Sequence, residues 1–280
     1  MKVNGIKTMW AAGALGGLML ASSSVLACSL ELWRASGDAT DNVVVGGPGA
    51  EAPNVVMPRY SGVCAMQTPA NPQQPEYVLN ESPGGIPRIR ARFYVLTEDS
   101  ASGTYDIYRG FDDQGGELFT VQLFDLGGAS EGVRVLDDSG SPIASCSGGC
   151  ITVGNWTAIE VDWNSGESNL DLWVNADAAS NPNNSTADGN VASGLSVDEI
   201  QLGNLSQTSG VLNFDSYESR RTTAIGLMIA GDANGSGILN IADVGAIIAE
   251  LDGNLQSGQP DCNESGIVNI ADVGCVIAAL

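Results

Sequence analysis

The chain has 280 residues, with 11 Lys or Arg against 33 Asp or Glu, 36 Gly and no His. Such an acidic surface repels phosphate backbones and anionic lipid, so nucleic acid and bare membrane are poor partners, whereas divalent cations are attracted. The absence of His removes Ser-His-Asp triads and His-ligated zinc together, and the length suits one sandwich of ordinary size plus a small module.

In chain order, Lys2 and Lys7 precede an apolar stretch from Met9 to Leu20, and Val25-Leu26-Ala27 closes it with a small-residue pattern. Residues 1–27 therefore read as a signal peptide, too short and too Gly-rich for a membrane span. Cleavage after Ala27 puts Cys28 first, and "VLAC" also resembles a weak lipoprotein box, so a lipid anchor on Cys28 stands beside plain secretion. Either way the expected location is extracellular or at the cell surface. From residue 28 onward nine Arg face all 33 acids, a formal charge of 9 − 33 = −24.

Export implies an oxidising compartment. Cys28, Cys64, Cys146, Cys150, Cys262 and Cys275 allow 15 pairings. Proximity in sequence favours Cys28–Cys64, Cys146–Cys150 and Cys262–Cys275. A zinc site at Cys146 and Cys150 would need a second close pair, which the sequence lacks.

From about residue 30 to 221 the pattern is β. "RIRARFYVL" (Arg88–Leu96) alternates Arg88, Arg90 and Arg92 against Ile89, Ala91 and Phe93. "ELFTVQLFD", "GVRVLDD", "NWTAIEVDW", "SNLDLWVNA" and "DEIQLGN" follow, punctuated by turns such as "DDQGG" and "DDSGSP". Short strands without helical patterns between them predict a jelly-roll sandwich over 28–221. The polar stretch Asn175–Asn190 is expected to be an exposed loop. "GNWTAIEVDWNSGESNLDLWVNA", with "VDEIQLGNL" and "NFDSYESRR", resembles the concanavalin A/laminin-G group over about 85–221. That resemblance implies the fold and, for many members, glycan binding, so a polysaccharide is a candidate partner.

Jelly-roll glucanases of the laminarinase and lichenase group carry Glu-x-Asp-x-x-Glu, whose outer carboxylates act as nucleophile and acid/base. "EVDWNS" has Glu160 and Asp162, but Ser165 stands where the second Glu belongs, and Glu167 comes two residues late. Glu160 and Asp162 then read as solvent-side residues of an alternating strand. Asp112-Asp113 and Asp137-Asp138 read as turn residues, and Trp156, Trp163 and Trp173 mostly as core. No catalytic residue is assigned.

Past Arg221 there is no Lys or Arg, and the module boundary is placed at 222. "DANGSGILNIADVGAIIAEL" (Asp232–Leu251) and "DCNESGIVNIADVGCVIAAL" (Asp261–Leu280) match at 14 of 20 positions, offset by 29. Counted from the first Asp, the oxygen-bearing positions 1, 3, 5, 7, 9 and 12 are Asp232, Asn234, Ser236, Ile238 (through its carbonyl), Asn240 and Asp243. In the second copy they are Asp261, Asn263, Ser265, Ile267, Asn269 and Asp272. With Gly at position 6 this is the spacing of a twelve-residue calcium loop, which predicts two Ca2+ ions. Ile241, Val244, Ile248 and Leu251, like Ile270, Val273, Ile277 and Leu280, are expected to form the packed face of each following helix.

Two loop-then-helix units with Asp at position 12 resemble a type I dockerin. That resemblance implies a cohesin-like protein partner chosen partly at Ile241, Ala242, Ile270 and Ala271, although packing of the two helices is the favoured use for Ile241 and Ile270. Dockerin loops usually carry Asp at position 5; Ser here leaves two carboxylates per loop and predicts weak, extracellular-type affinity. The combined expectation is a mainly β protein, a sandwich followed by a small helical calcium module. Its expected function is non-catalytic glycan or surface binding plus docking. The alternatives are an accessory polysaccharide-degrading hydrolase and a purely structural surface protein.

Overall fold

The computed structural model describes Arg34–Ala35, Val44–Gly46, residue 58 and most of 60–280; within that last span 62–64, 71, 73, 99–100, 180–186, 207, 255, 257, 264 and 266 are outside the described residues. The signal peptide reading of 1–27, the lipid anchor on Cys28 and the Cys28–Cys64 pairing lie outside them as well.

The strands are β1 Arg34–Ala35, β2 Val44–Gly46, β3 Ala65–Gln67, β4 Glu76–Asn80, β5 Arg88–Thr97, β6 Gly103–Phe111, β7 Glu117–Leu126, β8 Gly132–Asp137, β9 Pro142–Ser147, β10 Trp156–Asn164, β11 Asn169–Val174, β12 Ala187–Asn190, β13 Glu199–Asn204 and β14 Leu212–Arg220; the helices are α1 Ile241–Leu251 and α2 Ile270–Ala279. One antiparallel sheet has the order β1-β4-β13-β6-β7-β8-β9 and the other β12-β11-β10-β5-β14-β3-β2. The non-consecutive neighbours are those of a jelly-roll sandwich.

Period two decides which residues meet between the sheets. Ile89, Ala91 and Phe93 of β5, Ile159, Val161 and Trp163 of β10, and Leu170 and Leu172 of β11 join Val121, Leu123, Val133 and Val135 from the other sheet in one core. Each large side chain fully buried there contributes about 1.5–3 kcal/mol. β6 escaped the pattern because its pairing with β7 shifts register between Asp106 and Tyr108. Ile107 and Tyr108 are then both buried, and alternation is lost.

The stretch Asn175–Asn190 departs from the exposed loop expected of it. Ala178 is fully buried, and 187–190 form β12, an edge strand on β11. The unpaired edge of β11 accepts the polar strand because ladder bonds need only backbone.

Cys146–Cys150 and Cys262–Cys275 are bonded, which is compatible with an extracellular protein. No helix among the described residues is long and apolar enough to cross a membrane.

The helices also depart from expectation. Ala246, Ile247 and Val276 pack with Ala233 and Cys262, with Val244 and Val273 partly buried against them. Ile241, Ile248, Leu251, Ile270, Ile277 and Leu280 instead face solvent, Ile241 and Ile270 at 71% and 72% exposure. The cause is Asp243, fully buried: turning it inward places Ile241 and Ile248 about 140–160° away around the helix. The helix-packing use of Ile241 and Ile270 is thereby excluded.

Candidate functional site

In the tail, each helix starts at an Asn that caps it. Asn240 Oδ1 accepts from Ala242 N–H at 2.8 Å, and Asp243 Oδ2 accepts from Asn240 N–H at 2.8 Å. Asn269 and Asp272 repeat this at 2.8 and 2.7 Å. This is a capping box, which draws the position-12 carboxylate back toward the loop.

Hydrogen bonds tie the rest of the loop to the same carboxylate. Asp232 accepts from Ser236 and Gly237 N–H at 2.9 and 2.6 Å, and Asp243 Oδ1 from Asn234 N–H at 3.3 Å. Ser236 Oγ lies 3.4 Å from Asp232 Oδ1 and donates to Ile238 O at 3.1 Å, which also accepts from Asn240 Nδ2 at 2.9 Å. Positions 1, 3, 5, 7, 9 and 12 are therefore joined in one network. Gly237 at position 6 has φ +77°, a conformation that costs glycine little. The second loop repeats the contacts: Asp261 and Asn263 accept from Ser265 N–H, Asp272 from Asn263 N–H, and Ile267 O from Ser265 Oγ and Asn269 Nδ2.

Asp243, Asp261 and Asp272 are 0% exposed and Asp232 is 7% exposed, in a segment without Lys or Arg. Among the described residues no three His, Cys, Asp or Glu side chains gather as a metal site. Ala242 and Ala271, like Ile241 and Ile270, are exposed. Every large apolar side chain left exposed among the described residues lies at 227 or beyond.

The outer face of the β5–β10–β11 sheet is the second feature. Arg88 makes a two-point contact with Asp162 (2.9 and 2.6 Å), and Arg90 bonds Glu160 (2.5 Å) and Asp162 (3.1 Å) while lying 4.5 Å above the Trp173 ring. Glu160 and Asp162 are both 3% exposed, so their expected place in solvent is wrong. Residues 225–228 form a strap across them. Glu160 accepts from Ile225 and Gly226 N–H at 3.1 and 2.8 Å, Arg92 donates to Gly226 O at 3.0 Å, and Met228 N–H donates to Tyr94 Oη at 2.8 Å. Gly226 is required there: its φ is +80°, and a Cβ would meet Ala179 Cβ at 2.5 Å. Sequence gave no signal for the strap, since it joins residues 65 or more apart in the chain.

This arrangement gives Glu160 three donors, from Arg90, Ile225 and Gly226. Ser165 is fully buried and donates to Leu195 O at 2.5 Å, and Glu167 is exposed beyond the end of β10, accepting from Asn164 Nδ2 at 2.7 Å. Asp112 and Asp137 take the turn roles expected of them: Asp112 accepts from Gln114 and Gly116 N–H, and the Ser139 hydroxyl beside Asp137 holds its carboxyl below the ordinary value. Of the three tryptophans only Trp163 enters the main core; Trp173 lies under Arg90, and Trp156 joins Tyr60 and Tyr94.

No family model matches the chain, and no curated protein matches it. Among solved structures it is similar to a cellulose induced protein, Cip1, at 11% identity and a TM-score of 0.48, over 71% of this chain and 95% of that one. It is also similar to an alginate lyase from Alteromonas sp.272 at 13% identity and a TM-score of 0.38, over 69% and 96% of the two chains. A GH43 protein from Bacillus licheniformis matches at 12% identity and a TM-score of 0.39, over 56% and 33%. At these values the likenesses carry no weight for function, which has to come from the chain's own geometry.

Proposed function

We propose that 222–280 is a calcium-binding docking module carried by a non-catalytic sandwich at 28–221. The observation that carries this reading is the burial of Asp243 and Asp272 in a segment with seven acidic side chains and no basic one. A buried carboxylate needs a compensating charge. Its N–H donors occupy only part of each carboxylate's lone-pair capacity, and a Ca2+ in each loop would take the remainder. Dockerin-type docking is supported by the exposed faces. Ile238, Ile241, Ile248 and Leu251 recur as Ile267, Ile270, Ile277 and Leu280, all exposed. Repeated apolar exposure of this kind suits a protein partner of cohesin type.

Calcium titration of the intact protein tests this. Two ions are expected, with dissociation constants on the order of 10⁻⁵ to 10⁻³ M, weakening as salt screens the acidic surface. Ser236→Asp with Ser265→Asp adds a carboxylate to each loop at position 5, where the Ser236 hydroxyl faces Asp232 and Ile238 O and the Ser265 hydroxyl faces Ile267 O, and is expected to tighten both sites. Unchanged or weaker binding would show that position 5 does not face the ion.

The sandwich is expected to release no reducing sugar from β-glucans. Ser165 replaces the second carboxylate and the strap occupies Glu160. Activity abolished by Glu160→Gln would restore the hydrolase alternative.

A further inference from the structure

We infer that Asn234 in the first loop of the tail is a modification site, at which the Asn234-Gly235 peptide deamidates and turns loop position 3 into an acid. Apart from Asn4-Gly5 near the start of the chain, this is the one Asn-Gly pair in the sequence, and at the matching place in the second loop Asn263 is followed by Glu264. The reaction needs the backbone nitrogen of the next residue to reach the side-chain carbonyl carbon, and glycine puts no Cβ in the way. Asn234 Oδ1 accepts from Ser236 N–H at 2.9 Å, which closes a small turn that contains both Asn234 Cγ and Gly235 N. Gly235 has φ +67° and is exposed, so water and hydroxide reach its peptide group. Its N–H is held by Asp232 O at a long 3.2 Å. Once that bond opens, Gly235 N gives its proton to hydroxide and attacks Asn234 Cγ. The new N–Cγ bond closes a succinimide ring, and the Cγ–Nδ2 bond breaks as the nitrogen takes a proton from water and leaves as ammonia. Water then adds to either succinimide carbonyl, giving aspartate or isoaspartate. The net change is one water consumed and one ammonia released, with nothing oxidised or reduced.

The two products act on the loop in opposite directions. Aspartate sets a third carboxylate beside those of Asp232 and Asp243, and added carboxylates tighten a calcium loop. Isoaspartate routes the main chain through the extra side-chain carbon, so the positions after 3 shift against position 1. The Ser236 and Gly237 N–H groups, now 2.9 and 2.6 Å from the Asp232 carboxylate, then lose their register with it. The closed loop restrains the reaction: Asn234 N–H is held by Asp243 Oδ1 at 3.3 Å, and two neighbouring carboxylates oppose loss of a proton from Gly235 N. A Ca2+ held by Asn234 would keep the loop closed and protect the amide. That protection rests on the calcium reading, whereas the reaction at Asn234-Gly235 does not.

Incubation of the intact protein at mildly alkaline pH, in calcium and in chelator, tests the site. Peptides cut at acidic residues are read by mass spectrometry for conversion of Asn234 and Asn263 to acid, and isoaspartate is counted by enzymatic methylation. In chelator, conversion at Asn234 should outrun that at Asn263 by about tenfold. Exposure alone predicts the reverse, since Asn263 is exposed and Asn234 half-buried. Asn234→Gln, whose longer side chain closes the ring poorly, should remove the isoaspartate signal. Conversion at Asn234 no faster than at Asn263, or isoaspartate undiminished in Asn234→Gln, overturns the proposal. Calcium should slow the reaction at Asn234 severalfold; a rate equal in calcium and chelator would leave the modification site standing and count against the calcium loops. Asn234→Asp, which supplies the first product directly, should bind one of the two ions more tightly. Unchanged binding would strike the effect on the loop and not the reaction.

Discussion

Replacing Asp243 and Asp272 by Asn should abolish calcium binding while leaving the calcium-free protein close to wild type in stability. Asn is nearly isosteric and keeps an acceptor oxygen for one of the two N–H groups that each carboxylate receives, from Asn240 and Asn234 or from Asn269 and Asn263. What it removes is the buried negative charge. In chelator the two proteins should therefore differ by no more than about 1 kcal/mol, since at each of the two positions one modest hydrogen bond is lost against one buried charge relieved. In calcium at a hundredfold excess over the dissociation constant, two filled sites stabilise wild type by about 5 kcal/mol, and the variant gains nothing. Chemical denaturation with and without calcium reads both quantities. A wild type as easily unfolded with calcium as without it would remove the metal from this account and leave Asn240–Asp243 and Asn269–Asp272 as helix caps alone.

Glu160→Ala is the second large effect. The carboxylate binds Arg90 and receives the strap through Ile225 and Gly226 N–H, all within a buried face. Its removal strands part of the Arg90 guanidinium and two backbone donors away from water. Breaking one side of a buried ion pair costs about 3–5 kcal/mol. The strap should loosen as well, so limited proteolysis within 222–231 should quicken in the variant and not in Glu167→Ala, which alters an exposed carboxylate that accepts from Asn164 and makes no contact with the strap among the described residues. A loss below about 1 kcal/mol, with unchanged proteolysis, would mean the strap is held by Met228 and the aromatic cluster instead.

Much of the molecule was legible in its residues because the signals were local. Alternation at Arg88–Leu96 and along "NWTAIEVDW" decided which side chains enter the core, since period two is a property of the extended backbone itself. The spacing of Asp232, Asn234, Ser236, Asn240 and Asp243, repeated 29 residues later, fixed the loop turns and the helix starts because caps and turns are made by neighbours. Cys146–Cys150 and Cys262–Cys275 followed from proximity for the same reason.

What depended on partners distant in sequence could not be read that way. Helical periodicity showed an apolar stripe on α1 and α2 but not its direction, and it was the inward turn of Asp243 and Asp272 that left the isoleucines in solvent. Alternation put Glu160 and Asp162 on the outer face of β10, and only the strap from 225–228 turned that face into an interior. The edge strand β12 took its place because β11 had free backbone to offer. A cavity walled by Trp156, Leu227 and Asn263 combines strand, strap and loop, three segments up to 107 positions apart. Sequence alone determined the local geometry of each piece. Which faces are covered, and by what, was decided by tertiary packing, because burial depends on whatever segment arrives in space.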